Sequence, residues 1–394
     1  MNSKPISSTI FVALYLMFAT SGIAQSNDDR LRAQQHLSTG NVLLQKGNVE
    51  QAAVEFGKVI EFLPNLAIGY INRGLAYAYL GKHAEALADA EKALAVAENG
   101  PSQKVYQGMA HQVRGHVFYS QREYQRSIEA YSSGIELEPV NAKYHNGRGL
   151  AYMALGEYEQ ALRDFGKTIE LDPKLAQPYV NRSVVHRRMK DNAAAIRDLD
   201  VALSLDPSNA GALSNRAANY LDLKKYDEAI SDFSKAIALE PKWEFFYNRG
   251  RAYMDKGDFQ RSIDDNTEAI RRGADSYKPL HNRAIAHHRL GKNQLAIDDL
   301  RKALSVSPSS SAHYNLAYIL YRSGKFSEAS VEASKLIAKF PAWRAPVVLR
   351  GESYAKLGNT ARANADRLAA SKLSAAWKPS EDGFFILDLD IDVR

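Results

Sequence analysis

The sequence predicts an all-α solenoid of about ten helix-turn-helix repeats, and three periodic features predict it. Seven of the thirteen prolines fall at one recurring place, Pro64, Pro139, Pro173, Pro207, Pro241, Pro308 and Pro341, and the three steps from Pro139 to Pro241 are each 34 residues. With that proline numbered position 32, position 8 is small in every unit: Gly40, Gly74, Gly115, Gly149, Ser183, Ala217, Gly250, Ala284, Ala317 and Gly351. Position 20 is small as well: Ala52, Ala86, Ser127, Ala161, Ala195, Ala229, Ser262, Ala296, Ala329 and Ala363.

Each position has a physical task. Small residues at 8, in a first helix A, and at 20, in a second helix B, allow the two backbones to approach closely. Larger groups at 24 (Phe56, Tyr131, Phe165, Phe233) fill the space beside them. Glycine recurs at 15, just past helix A, as Gly47, Gly81, Gly156, Gly257, Gly291, Gly324 and Gly358, where it tolerates the left-handed geometry of a helix end. The proline at 32 stops helix B. Pro178, Pro279 and Pro346 fall at position 3, in the first turn of a helix A, where proline costs little.

The repeats are expected near residues 33–66, 67–100, 108–141, 142–175, 176–209, 210–243, 243–276, 277–310, 310–343 and 344–377, with an insertion at 101–107. Repeats two, seven and ten lack the proline, having Glu98, Ala274 and Ala375. Helix B of repeat ten is the most polar, as a terminal cap requires. These features resemble the tetratricopeptide repeat, most clearly in Asn146 to Tyr152 with Ala161 to Phe165, in Tyr179 through Pro207, and from Tyr247 onward. The resemblance covers roughly residues 33 to 377. It implies a right-handed superhelical solenoid and a concave groove lined by helix A at positions 2, 5, 6, 9, 12 and 13.

Composition bounds the chemistry. The 394 residues are 45% apolar and 24% charged, as in an ordinary globular protein. The absence of cysteine excludes disulfides, thiol nucleophiles and thiolate metal sites. A net charge of +6 without a Lys/Arg run leaves no nucleic-acid footprint, so no nucleic-acid partner is expected. Lys4, the apolar run Ile10 to Ala19 and the small-residue end Ser21 to Ala24 read as a secretory signal peptide, residues 1–24, cut after Ala24. Ten apolar residues are too few to span a bilayer, which takes roughly 20. A short linker, 25–32, would follow. The mature chain is then expected to carry no transmembrane helix and to be periplasmic or secreted if bacterial.

Apparent catalytic motifs lose their context on inspection. Gly166-Lys167-Thr168 and Asp164-Phe165-Gly166 lie inside a helix B without the partner motifs that give such triplets meaning. Asp388, Asp390 and Asp392 alternate like calcium ligands but lack the glycine and closing glutamate of that loop. His287 and His288 point to different sides of a helix. No enzyme, metal site or cofactor is expected.

Two ladders remain. Arginine at position 7 recurs as Arg73, Arg114, Arg148, Arg182, Arg216, Arg249 and Arg283, and aspartate at 23 as Asp89, Asp164, Asp198, Asp232, Asp265 and Asp299. Opposite charges at fixed places in adjoining helices predict structural ion pairs. Asparagine at position 6 recurs as Asn72, Asn181, Asn215, Asn248, Asn282 and Asn315. Its donors and acceptor match a peptide backbone, although a bond to the neighbouring helix is the other reading. Some members of the resembling family hold peptides with such a ladder. Position 5 adds Tyr247, His281 and Tyr314, and positions 12 and 13 add Arg187, Arg188, Arg289, Arg322 and Lys356, a set suited to an acidic or aromatic peptide, interrupted by Asp222 and Asp255. No repeat has both lysine at 2 and arginine at 6, so a clamp for a terminal carboxylate is disfavoured. The tail 378–394 alternates apolar and acidic residues and could cap repeat ten, add a strand to a partner, or occupy the groove.

The expected function is an exported scaffold or adaptor that binds an extended segment of another exported or envelope protein. A structural subunit of an envelope or secretion assembly, and a polysaccharide-export helper that binds carbohydrate, are the alternatives. The sequence leaves the oligomeric state open.

Overall fold

A computed structural model describes residues 27–97, 102–274 and 276–374. They fold into helices joined by short turns, with no strand among the described residues. The expected signal peptide, 1–24, and tail, 378–394, lie outside the described residues. The chain forms two units, divided after Leu205.

The first unit holds α1 (Asn27–Gln45), α2 (Val49–Phe62), α3 (Ala67–Tyr79), α4 (His83–Val96), α5 (Gln103–Ser120), α6 (Tyr124–Leu137), α7 (Ala142–Leu155), α8 (Tyr158–Leu171), α9 (Ala176–Arg188) and α10 (Asn192–Leu205). Successive helices pair as A and B of repeats one to five. Two local differences from the sequence reading stand out. The segment 25–32, expected as a linker, is helical from Asn27, and residues 103–107 of the insertion extend helix A of repeat three, which runs 18 residues from Gln103.

The second unit holds α11 (Ala210–Asp222), α12 (Tyr226–Leu239), α13 (Trp243–Lys256), α14 (Phe259–Arg271), α15 (Lys278–Arg289), α16 (Asn293–Val306), α17 (Ser310–Arg322), α18 (Phe326–Lys339), α19 (Arg344–Lys356) and α20 (Thr360–Ser371). They pair in the same way as repeats six to ten.

Local chemistry accounts for these bounds. The Asn141, Asn209, Asp258, Ser309 and Asn359 side chains each accept a bond from a backbone N–H in the first turn of the helix they precede, satisfying donors with no partner inside the helix. All seven glycines at position 15 have positive φ, from 72° to 91°. In the three repeats without glycine, Arg122, Lys190 and Lys224 take the same left-handed geometry, at 63°, 65° and 57°.

Helix A meets helix B closely at position 8. A Cβ on Gly40 would lie 2.5 Å from the Phe56 ring, and one on Gly149 2.9 Å from Phe165. The residues at 20 and 24, among them Ala52, Phe56, Ala161, Phe165, Ala229 and Phe233, are fully buried. Consecutive repeats of the first unit are also tied at position 4. Tyr70 Oη donates to the Pro64 carbonyl at 3.0 Å, Tyr179 Oη to that of Pro173 at 3.3 Å, and His145 Nε2 lies 2.9 Å from that of Pro139.

Candidate functional site

The arginine and aspartate ladders meet inside each repeat, because positions 7 and 23 face each other across the A–B interface. Arg73–Asp89, Arg148–Asp164, Arg182–Asp198, Arg216–Asp232, Arg249–Asp265 and Arg283–Asp299 form two-bond pairs, with Nε and Nη2 each 2.7–2.9 Å from a carboxylate oxygen. A seventh pair, Arg350–Asp366 at 2.7 and 2.8 Å, escaped the sequence reading because Leu316 interrupts the row, although it falls at the same two positions. Arg114 faces Ala130 where the aspartate would be.

Several of these arginines spend a third donor on helix B of the preceding repeat. Arg148 reaches Ser132 Oγ at 3.0 Å, Arg249 reaches Ser234 at 2.9 Å and Arg283 reaches Thr267 at 3.0 Å. The aspartates are buried, and the guanidiniums are engaged within the fold.

Two of the ladder carboxylates, Asp164 and Asp265, shift in opposite directions. At Asp164, burial pushes the pKa up, but the hydrogen bonds from Arg148 and His145 outweigh it, and the net shift is downward. At Asp265, burial outweighs Arg249, and the net shift is upward, aided by the nearby Asp264 and Glu268 charges.

In the first unit the groove-lining positions enclose a cleft of about 360 Å³. Its wall is built from position 9 of repeats two, three and four (Leu75, His116, Leu150), position 5 of repeats three and four (Gln112, Asn146), and position 2 of repeats four and five (Lys143, Gln177), with Asn181 at one side. Gly147, at position 6 where other repeats carry asparagine, also lines the cleft. A Cβ there would fall 2.3 Å from the Tyr131 ring, and one on Gly115 2.8 Å from the same ring, so Tyr131 is held between two glycines and forms the floor.

Burial pushes the Tyr131 phenol well above its ordinary value and that of nearby Tyr79 up to about 12. Burial also lowers the pKa values of His116 and Lys143. No carboxylate among the described residues pairs with the Lys143 ammonium. Asn181, from the expected ladder, donates to Asn146 Oδ1 at 3.1 Å and accepts from Gln177 Nε2 at 2.9 Å. The cleft wall is therefore a chain of linked amides. Asn72 makes a longer contact of 3.4 Å with Asn41, and Arg187 is exposed at the end of α9.

In the second unit the ladder divides. Asn215 and Asn248 are half-buried, and neither side chain has a hydrogen-bond partner among the described residues. Asn282 and Asn315 are 2% and 0% exposed. Asn315 Nδ2 lies 2.8 Å from His281 Nε2 of the preceding repeat, and Asn282 sits beside the Tyr247 hydroxyl. Tyr314, expected in the groove, is 1% exposed and packs on Trp343 with ring centroids 5.0 Å apart. Tyr247 is half-buried, while Arg289 and Arg322 are exposed at the groove edge. The cleft at Gly147 was missed in the sequence. Its one signal there is a glycine at position 6 following a tyrosine at position 24 of the preceding repeat.

No group of three or more metal-ligating side chains occurs among the described residues, and no described helix is long and apolar enough to cross a membrane.

Models of the tetratricopeptide repeat match residues 67–99, 142–175, 210–242 and 281–342, and a TPR repeat model matches 115–156. Small glutamine-rich tetratricopeptide repeat-containing protein 2 of Mycosarcoma maydis is 30% identical over 112 residues, which span 28% of this chain and 30% of that protein. Among solved structures, a tetratricopeptide repeat protein from Parabacteroides merdae is 19% identical with a TM-score of 0.48, covering 61% of this chain and 93% of its own. Yeast Tom70 is 15% identical with a TM-score of 0.45, covering 88% and 86% respectively.

Proposed function

The chain is built from tetratricopeptide repeats, and on that footing we propose that it is an exported, non-enzymatic scaffold that holds an extended segment of a partner protein along its helix A faces. The observation that carries this reading is the cleft around Gly147. It is roomy enough for a side chain and is walled by amides that can donate to and accept from a peptide backbone. Lys143 sits in its wall without a carboxylate partner among the described residues, so an acidic group of the bound segment would find a charge there. Asn215 and Asn248 offer two further amides at position 6, spaced one repeat apart. The N-terminal signal features in residues 1–24 support an exported partner, such as a component of an envelope or secretion assembly.

An affinity capture from envelope extract, followed by mass spectrometry, tests the proposal. Wild type is compared with Lys143→Ala/Gln112→Ala and with Asn215→Ala/Asn248→Ala. A partner captured by wild type and lost with either variant supports groove binding. The same partners captured by all three would move the interaction to helix B surfaces or to the ends of the array, and with it the function to a structural subunit.

A further inference from the structure

We propose that the cleft of the first unit selects an internal acidic residue placed two residues from a large apolar one, in a segment held extended across repeats three to five. The proposal rests on the groove-binding reading above and names the chemistry of its ligand.

The charge sits at one end of the cleft. Among the described residues that line it, Lys143 alone carries a formal charge at neutral pH, so no carboxylate of the wall opposes an acidic ligand. Glu138, the nearest carboxylate along the chain, accepts instead from the Tyr144 hydroxyl at 2.7 Å. Burial already disfavours the charged form of Lys143, and a carboxylate that reaches the ammonium recovers part of that cost. Position 6 of the same repeat is Gly147. The second cation that a terminal carboxylate would take is therefore missing, and the charge read here is that of a side chain.

The apolar surface lies toward the other end. Position 9 supplies Leu75 and Leu150 with His116 between them, and all three keep contact with solvent. Burial lowers the His116 pKa, so the row presents two leucines and a neutral ring. Lys143 and Leu150 share α7 seven residues apart, a rise of about 10 Å. In an extended segment, side chains two residues apart point to one side at a spacing of about 7 Å. The flexible four-carbon stem of Lys143 covers the difference.

Amides with bonding capacity to spare stand between the two ends. Gln112 is half-buried, and its side chain makes no bond among the described residues. Asn146 accepts from Asn181 at its oxygen, which leaves its amino group to donate. Gln177 donates to Asn181, which leaves its oxygen to accept. Together they match the carbonyl and N–H of a main chain passing over them.

Short peptides capped with a dye at the amino end and amidated at the other test the proposal by fluorescence anisotropy. The parent carries leucine, serine and glutamate in that order within a glycine-serine frame. One variant has glutamine for the glutamate, a second has serine for the leucine, and a third sets leucine and glutamate side by side. Each change should weaken binding to the wild-type chain about tenfold, the worth of one charge-assisted bond or one buried aliphatic side chain. Lys143→Met keeps the stem and should lose the preference for glutamate over glutamine, while still preferring leucine over serine. Leu150→Ala should do the reverse. Lys143→Gln replaces Lys143→Met should the latter melt early.

An equal preference for glutamate in wild type and Lys143→Met, no preference in wild type, or no binding of the parent at millimolar concentration would overturn the proposal. Binding that needs a free carboxyl end would overturn it as well. The partner capture described above reads out separately. A partner lost with Lys143→Ala/Gln112→Ala, while the peptides show no acidic preference, keeps the scaffold reading and removes this inference.

Discussion

Exchanging residues at position 15 tests the helix A turn in isolation, because the backbone there is the same whether or not glycine is present. Lys190 and Lys224 have φ of 65° and 57°, and their side chains are exposed and make no bond among the described residues. Lys190→Gly and Lys224→Gly therefore remove no contact. They relieve the clash between Cβ and carbonyl in the left-handed region, about 1–2 kcal/mol. They also add unfolded-chain entropy that costs about 0.5–1 kcal/mol. The net stabilisation is about 0.5–1 kcal/mol per site.

The reverse exchange isolates the same quantity. A Cβ on Gly156 (φ 82°) or Gly257 (φ 91°) would meet nothing within 4 Å, so Gly→Ala there carries no packing penalty. It should destabilise by about 1 kcal/mol through backbone geometry alone. Thermal melts followed by circular dichroism at 222 nm should move by about 2–4 °C for each kcal/mol in a cooperative stretch of 150–250 residues. Hydrogen exchange should place the change in the mutated repeat, since stability in such arrays is close to a sum of local terms. Lys190→Gly lowering the melting temperature, with Gly156→Ala neutral, would refute the reasoning.

The remaining predictions concern charge, packing and pH. Asp198→Asn should cost about 1–3 kcal/mol, because it strips a two-bond partner from a half-buried guanidinium, whereas Glu170→Gln at the exposed Lys167 pair should cost under about 0.5 kcal/mol; paired urea melts compare them. Gly147→Ala should cost about 1–3 kcal/mol by overpacking against Tyr131, and a double-mutant cycle with Tyr131→Leu should show strong coupling in chemical denaturation. Burial depresses the pKa values of His111, His116, His186, His287, His288 and His313, so the unfolded chain takes up their protons first as pH falls. Their stabilising contribution is intact above about pH 6.5 and is lost as pH falls through their lowered folded values, so melting temperature should drop between pH 7.5 and 5.5. A rise over that interval would contradict the burial of these rings.

The repeat architecture was legible in the sequence because its determinants are local to one unit. A small residue at 8 and another at 20 decide how near two helices come, and each acts within 34 residues of chain. Glycine at 15 also marks the left-handed turn, yet Arg122, Lys190 and Lys224 show that the turn survives without it. The pattern of packing on both sides imposes the geometry and overrides a residue's own preference. The insertion at 101–107 illustrates the opposite case. The repeat pattern marks those residues only as an insertion, and Gln103 to Gln107 continue straight into helix A of repeat three.

The candidate site was less legible because it depends on what neighbouring repeats do with their bulk. Asparagine at position 6 recurs in sequence as one feature, but the fold gives it three fates. Asn181 is linked to amides of an open cleft, Asn215 and Asn248 stay half-exposed, and Asn282 and Asn315 are sealed against Tyr247 and His281. The difference lies at position 5 of the preceding repeat, where Asn146 before Asn181 and Ser214 before Asn248 leave room, and the rings of Tyr247 and His281 close it. At repeat four the asparagine is absent altogether, and the Tyr131 ring takes the space its side chain would fill, in a cleft lined by Gly147 and Tyr131. The groove surface is thus set by departures from the repeat, while the Arg–Asp pairs that keep to it, from Arg73–Asp89 to Arg350–Asp366, hold the helices that the departures are built on.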